Sequence, residues 1–230
     1  LEDAQRDWPL SAEELARRGA DVVLTDINEA LAREAAEEIV RRGGKASAIK
    51  HDVRDVDATE RIVDDVVKEK GRLDYVFANA GTGVFGEVHL LEKKHWDIVV
   101  DVNLHGVINT VRAAYPRLVK QGFGHLVNTA SMAGLVAVPF LATYAMTKHA
   151  VVGLSKSMRI EAARHGVRVS ALCPSAIRTP ILTGGEHGGA IYPGLTEERK
   201  LEWWKRIGPI TELAPFTKDA IDAIARNENV

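Results

Sequence analysis

A chain of 230 residues is long enough for one large α/β domain with a buried core. Its 30 basic and 32 acidic residues nearly cancel, to a net charge of -2, and no arginine-rich run appears; this argues against nucleic acid or an anionic membrane as the main partner. The single cysteine, Cys173, excludes an internal disulfide and fits a reducing, cytoplasmic setting, and no apolar run reaches the ~18 residues of a membrane span. The acidic, polar start does not read as a signal peptide.

In chain order, helical and strand-like segments alternate. Helical spacing predicts helices over Ser11–Arg18, Glu29–Arg42, Asp57–Lys70, Trp96–Lys120 and Thr143–Arg164. Apolar runs bounded by turn residues predict strands at Asp21–Asp26, Ala46–Lys50, Asp74–Ala78, His125–Thr129 and Val167–Leu172. Gly19, Gly43, Gly71 and Gly166 fall where helix C-caps are needed. Alternation of this kind implies a parallel sheet covered by helices on both faces, with right-handed crossovers. Ligands of such sheets bind beyond the carboxyl ends of the strands.

The residues closing the strands form a rim of polar and turn-forming groups. They are Asp26, then His51-Asp52-Val53, then Asn79-Ala80-Gly81, then Ser131, then Pro174 through Pro180. Each alone reads as a cap or turn residue; five such sites on one rim point to a nucleotide site.

Tyr144 and Lys148 are one helical turn apart and share a helix face. An ammonium beside a phenol favours the phenolate and is expected to lower the tyrosine pKa, tuning it for proton transfer. This spacing alone arises by chance roughly 0.2 times in a chain of this composition. The bland alternative, a packed tyrosine beside an exposed lysine, is set aside only by the surrounding residues.

Those residues, in order and spacing, are Asn79-Ala80-Gly81, Asn103 within Asp101-Val102-Asn103, Ser131, Tyr144-x-x-x-Lys148, and Pro174 through Pro180. From Ala12 to the C-terminus the chain resembles the short-chain dehydrogenase/reductase family. The resemblance implies a Rossmann-type doubly wound fold and hydride transfer between a nicotinamide cofactor and an alcohol or carbonyl. It implies Tyr144 as general acid/base, Lys148 as its modulator and as a ribose ligand, and Ser131 as the holder of the substrate oxygen. Asn103 would stabilise a helix kink and a water chain. Thr179 and the backbone at Ile177, within the run from Pro174, would hold the nicotinamide carboxamide. Asn79, Ala80 and Gly81 would line the adenosine side, and Asp52 with Val53 would meet the adenine. Asp26, with Ile27 and Asn28 after it and no arginine, favours NAD over NADP, because a carboxylate accepts from a ribose 2′-OH and repels a 2′-phosphate.

The chain departs from the family at its start. Where a strand and a glycine-rich phosphate loop are expected, residues Leu1 through Leu10 contain no glycine and carry Glu2, Asp3, Asp7 and Trp8. Ser11 and Glu14 have capping-box spacing, and Leu10 with Leu15 has staple spacing, so the first helix is expected to cap itself at Ser11. The first strand, at the family's sheet centre between the strands ending at Asp26 and Ala78, and the last edge strand are both expected to be missing. The expected architecture is thus one domain over 1–230 that reads as the family's interior with altered or truncated ends.

Residues 181–215 occupy the place of the family's substrate lid, with Trp203, Trp204, Ile207 and Leu213 as apolar cover. Together with Met132, Val138 and Phe140 they suggest a bulky, apolar alcohol or ketone, although both tryptophans could equally pack on the core or a neighbouring subunit. The 8 histidines lack metal-ligand spacing, so no metal is expected. By resemblance, the helices around Val102–Lys120 and Thr143–Arg164 would form a homodimer or homotetramer. Two functions stay open: an NAD-dependent oxidoreductase, and a non-catalytic relative acting as a binding or scaffold subunit.

Overall fold

The computed structural model describes residues 7–177, 198, 202–205 and 210–227, with side chains from Ser11 onward. The elements are α1 (Asp7–Arg17), β1 (Asp21–Asp26), α2 (Glu29–Arg41), β2 (Lys45–Lys50), α3 (Val56–Lys70), β3 (Tyr75–Ala78), α4 (Lys93–Val100), α5 (Gly106–Gln121), β4 (Gly124–Thr129), α6 (Ala142–Ala163), β5 (Val167–Leu172) and α7 (Leu213–Ala225). All strand pairings are parallel, as strands joined by helical crossovers require.

Local chemistry sets the boundaries. Asp55 caps α3 by accepting from the Ala58 amide at 2.9 Å, and Gly71 ends the helix at a φ of 73°, where a glycine carries no Cβ penalty. The helix expected over Trp96–Lys120 is instead divided: α4 and α5 are joined by a π-helical turn at Asp101–His105 that holds Asn103.

The cap expected at Ser11 does not form. Helix α1 starts at Asp7, and Pro9 falls within its first turn, where a missing N–H costs no helix bond. Glu14 is taken by Arg17 and Arg18, each at 2.7 Å, and the Arg17 hydrogen bond leads in holding its carboxyl down to about 2. Leu10 of the expected staple lies outside the described side chains.

The described strands pair in two groups. β1 pairs with β2 in register from Asp21↔Lys45 to Asp26↔Lys50. β3, β4 and β5 form a separate three-stranded sheet. Among the described residues no strand joins β1 to β3, and no strand follows β5; only an isolated bridge, Ile177↔Thr211, ties the loop after β5 to the segment before α7. β4 is buried over His125–Asn128, whereas β1 and β3 are mostly half-exposed.

Alternate residues of β4 feed two cores. Leu126 packs with Ala114 and Leu118 of α5 and with Met158 and Ala162 of α6. Val127 faces the other side, with Ile221 and Ile224 of α7, and Leu15 of α1 and Phe77 of β3 join that cluster. A third cluster, Ala78, Val107, Ala130, Val151 and Val152, lies among the elements that carry the candidate site. The two-residue period of a strand thus places helices on both faces of the larger sheet. No described helix is long and apolar enough to cross a membrane.

Candidate functional site

The candidate residues gather at the carboxyl ends of β1 through β5. Lys148, buried in α6, donates from Nζ to the Thr129 carbonyl at 2.7 Å, and the same Nζ stands 5.5 Å from the centre of the Tyr144 ring. The Thr129 hydroxyl donates to Oδ1 of Asn79 at 2.9 Å, linking the ends of β4 and β3. Ser131 lies within hydrogen-bonding reach of the Tyr144 phenol, and its Oγ accepts from the Ala133 amide at 3.1 Å. The loop is anchored on β5: the Ala130 amide donates to Leu172 at 2.7 Å and the Met132 amide to Pro174 at 2.9 Å.

Asn103 is fully buried in the π turn. Its Oδ1 accepts from the Thr82 amide at 2.8 Å, and its Nδ2 donates to the Thr82 carbonyl at 2.9 Å and to the Thr147 hydroxyl at 3.2 Å. The expected helix kink is therefore a π turn held by tertiary hydrogen bonds. Gly81 sits beside it: a Cβ there would lie 3.6 Å from both Asn103 Oδ1 and Lys148 Nζ.

Burial governs the electrostatics. It pushes the Tyr144 phenol above its usual value, against a smaller opposite effect of Ser131, and it lowers Lys148 to about 8. The expected depression of Tyr144 by Lys148 is thus absent. Nζ is engaged by Thr129 and sits over the ring; Lys148 is buried and Tyr144 half-buried, which favours their neutral forms.

The adenosine-side candidates are more dispersed. Asp26 ends β1 and accepts from the Asn28 amide at 2.7 Å through Oδ1, and Asn28 also caps α2. Asp52 is held by Arg54, with Nε–Oδ1 at 2.9 Å, so that pairing first of all keeps its carboxyl low. The Val53 carbonyl accepts from Asn109 at 2.9 Å, and its side chain lies against Gly106, where a Cβ would approach to 2.7 Å. Ala80 continues the loop after β3, and Ile177 is buried at its bridge with Thr211. Thr179 lies outside the described residues, as does most of the 181–215 segment.

An aromatic group borders the site. Phe85 stacks on Phe140 at 5.5 Å, and Trp203 meets them edge-on at 5.0 and 6.2 Å. Phe140, just before α6, has a φ of 64°, an uncommon backbone state for a bulky residue, and its carbonyl accepts from the Gly86 amide at 2.8 Å. His149, next to Lys148, faces the Ala145 carbonyl at 2.9 Å through Nδ1. Among the described residues no cluster could hold a metal ion.

Sequence reading missed Thr82, Thr129, Gly134 and Thr147. Three of these act through backbone or side-chain bonds to residues 19 or more positions away, or, for Gly134, through close packing, and no local spacing signals either.

The short chain dehydrogenase family model matches residues 10–187. A cyclohexanol dehydrogenase from Acinetobacter sp. (strain SE19) is 37% identical over 171 residues, covering 73% of this chain and 67% of that protein. Other curated relatives are longer, and the chain spans 63% of their length. A short chain dehydrogenase/reductase from Burkholderia phymatum, solved with NAD, superposes with a TM-score of 0.84 at 26% identity, covering 96% of this chain and 82% of that one. A gluconate 5-dehydrogenase from Burkholderia cenocepacia J2315, solved with NADP and tartrate, gives 0.78 at 27% identity, covering 93% and 81%. The chain belongs to the short-chain dehydrogenase/reductase family of oxidoreductases.

Proposed function

We propose that the chain is the catalytic domain of an NAD-dependent oxidoreductase acting on an alcohol or its carbonyl counterpart, with Tyr144 as general acid/base. One observation carries the reading. Ser131 lies in hydrogen-bonding reach of the Tyr144 phenol, and the Lys148 ammonium stands 5.5 Å from its ring, all at the strand ends.

The residues suit a nicotinamide dinucleotide at both ends. Gly81 leaves space beside Lys148, which spends one of its three N–H donors on Thr129 and keeps others for ribose hydroxyls. Asp26, at the end of β1, suits the 2′-OH of the other ribose and would repel a 2′-phosphate, which favours NAD although two solved neighbours carry NADP. Asn79, Ala80 and Gly81 lie along the intervening rim with Asp52 and Val53, and Pro174, Ile177 and Thr179 belong to the carboxamide side. When bound, the cofactor supplies the hydride donor or acceptor.

The protein's part is proton transfer and orientation. Ser131 and Tyr144 donate to the substrate oxygen. In reduction, Tyr144 gives its proton to that oxygen; in oxidation, it takes the proton back. Burial keeps the phenol protonated through the neutral range, so the resting chain holds the acid form. Oxidation needs the phenolate and gains as pH rises.

Met132, Leu135 and Val136, exposed in the loop after Ser131, and the Phe85–Phe140–Trp203 group support a bulky, apolar substrate. On α6, exposed Met146, Ala150, Gly153 and Ile160 fall on one face, which supports a homodimer or homotetramer built through that helix.

Tyr144→Phe is expected to lower turnover of cyclohexanol with NAD by about 10²–10⁴-fold while leaving NAD binding in place. Unchanged turnover in this variant would sink the reading. The second function, a non-catalytic binding subunit, draws on the separate pairing of β1–β2 and β3–β4–β5 among the described residues. Failure to bind NADH at millimolar concentration in a fluorescence titration would favour it.

A further inference from the structure

Thr147 stands between Tyr144 and Lys148 on α6 and is fully buried. Its hydroxyl has one proton and donates it to the Tyr144 carbonyl at 2.8 Å. Its lone pairs are then left to accept, and Asn103 Nδ2 donates to them at 3.2 Å. The other Nδ2 proton goes to the Thr82 carbonyl, and Oδ1 receives the Thr82 amide. The Asn103 amide is thereby fixed in one orientation. A continuous set of bonds runs from the backbone after β3, through the π turn, to the backbone of the proton-transferring tyrosine.

The acceptor is distinctive. In an α-helix the Tyr144 carbonyl also receives the Lys148 amide, so the Thr147 hydroxyl acts on the peptide group joining the two residues in register. Hydroxyls that bond back to the preceding turn bend helices slightly and set the direction of nearby side chains. Two further contacts hold the same turn: Lys148 Nζ on Thr129, and Gly134 against the Lys148 carbonyl, where a Cβ would approach to 2.6 Å. Among the described residues, Thr147 alone connects it to the π turn through a side-chain hydrogen bond.

We propose that Thr147 is a positioning residue for the reaction: its hydroxyl couples Asn103 to the Tyr144 backbone and sets the aim of the phenol. This rests on the reading of Tyr144 as the acid/base. Thr147→Val keeps the shape and removes the hydroxyl, leaving one Asn103 proton without a partner in a buried site. Thr147→Ser restores the hydroxyl without the methyl.

In the full-length chain, Thr147→Val is expected to lower kcat by about 10–100-fold while the KM for cyclohexanol and the affinity for NADH change by less than about 3-fold. Thr147→Ser should recover kcat to within about 3-fold of wild type. Independently of activity, hydrogen exchange at the Thr82 amide should accelerate in Thr147→Val and not in Thr147→Ser. A double-mutant cycle with Asn103→Ala should be non-additive. Wild-type kcat in Thr147→Val, or equal losses in Thr147→Val and Thr147→Ser with both folded by thermal melt, overturns the proposal. If Thr147→Val does not fold, Thr147→Ser and the exchange of Thr82 decide it: loss of kcat or accelerated exchange in Thr147→Ser counts against. Full turnover by Tyr144→Phe would instead remove the reading beneath it, leaving the exchange result to stand by itself.

Discussion

Among single residues, His125 has the clearest consequence for stability. It is buried on β4, its Nε2 faces Ser170 Oγ at 2.9 Å, its ring stacks on Tyr75 at 5.8 Å, and its Nδ1 has no partner. Burial first, with Arg168 and Arg159 nearby, lowers its pKa to about 4. Between about 4 and 6.5 the unfolded chain binds a proton that the folded chain refuses, so stability falls as pH drops through that window. The loss is about 3 kcal/mol, complete below the folded pKa. Urea titrations from pH 7 to 4 should show it, and His125→Gln should flatten the slope; an unchanged slope would assign the acid sensitivity elsewhere. None of this was legible in the sequence. His125 is one of 8 histidines, and its burial depends on β4 lying between two neighbouring strands.

Elements were read more easily where chemistry is local. β1 and β5 match the expected runs residue for residue, because valine-rich stretches flanked by turn residues leave little choice. The division of the expected Trp96–Lys120 helix was hidden, since its apolar spacing continues through Asp101–His105. What converts that stretch into a π turn is Asn103 bonding to Thr82, 21 residues earlier in the chain. Ser11 misled for the opposite reason: its spacing to Glu14 is right for a cap, but the helix extends past it to Asp7 and Glu14 prefers two arginines. Tyr144, Lys148, Ser131 and Asn103 stood out from motif spacing, whereas the contacts that aim them did not. Gly134 is one of those contacts. Gly134→Ala would drive a methyl into the Lys148 carbonyl, which sits in a helix backbone and cannot swing away. Overpacking of this kind costs about 1–3 kcal/mol, and a shift of the Tyr144–Lys148 turn should lower kcat by roughly 10²-fold. Steady-state kinetics with a thermal melt would separate the two; wild-type kcat in a folded Gly134→Ala would mean that the turn tolerates displacement.

At the scale of the molecule, the described strands fall into two groups held by different contacts. β1, β2 and α2 share one cluster with α1, and β3, β4 and β5 share the others with α5, α6 and α7. The described links between them include Leu15 in the α7 cluster, the Val53 carbonyl accepting from Asn109 at 2.9 Å with the Val53 side chain against Gly106, Arg18 with Asp222 at 2.7 Å, and Lys70 with Asp21 at 2.9 Å. Surface ion pairs of this sort add little, so the two halves are expected to open with different free energies. Hydrogen exchange should then sort β1 and β2 into a less protected class than β4 and β5, and uniform protection would count against this. The candidate nucleotide site spans the divide, with Asp26 on one half and Asn79, Tyr144 and Lys148 on the other. A dinucleotide bound there would work as a cross-brace. At 100 times its dissociation constant it adds about 2.7 kcal/mol to the state in which both halves are in place. Saturating NADH should merge the two exchange classes, so that the two sets of strands open together.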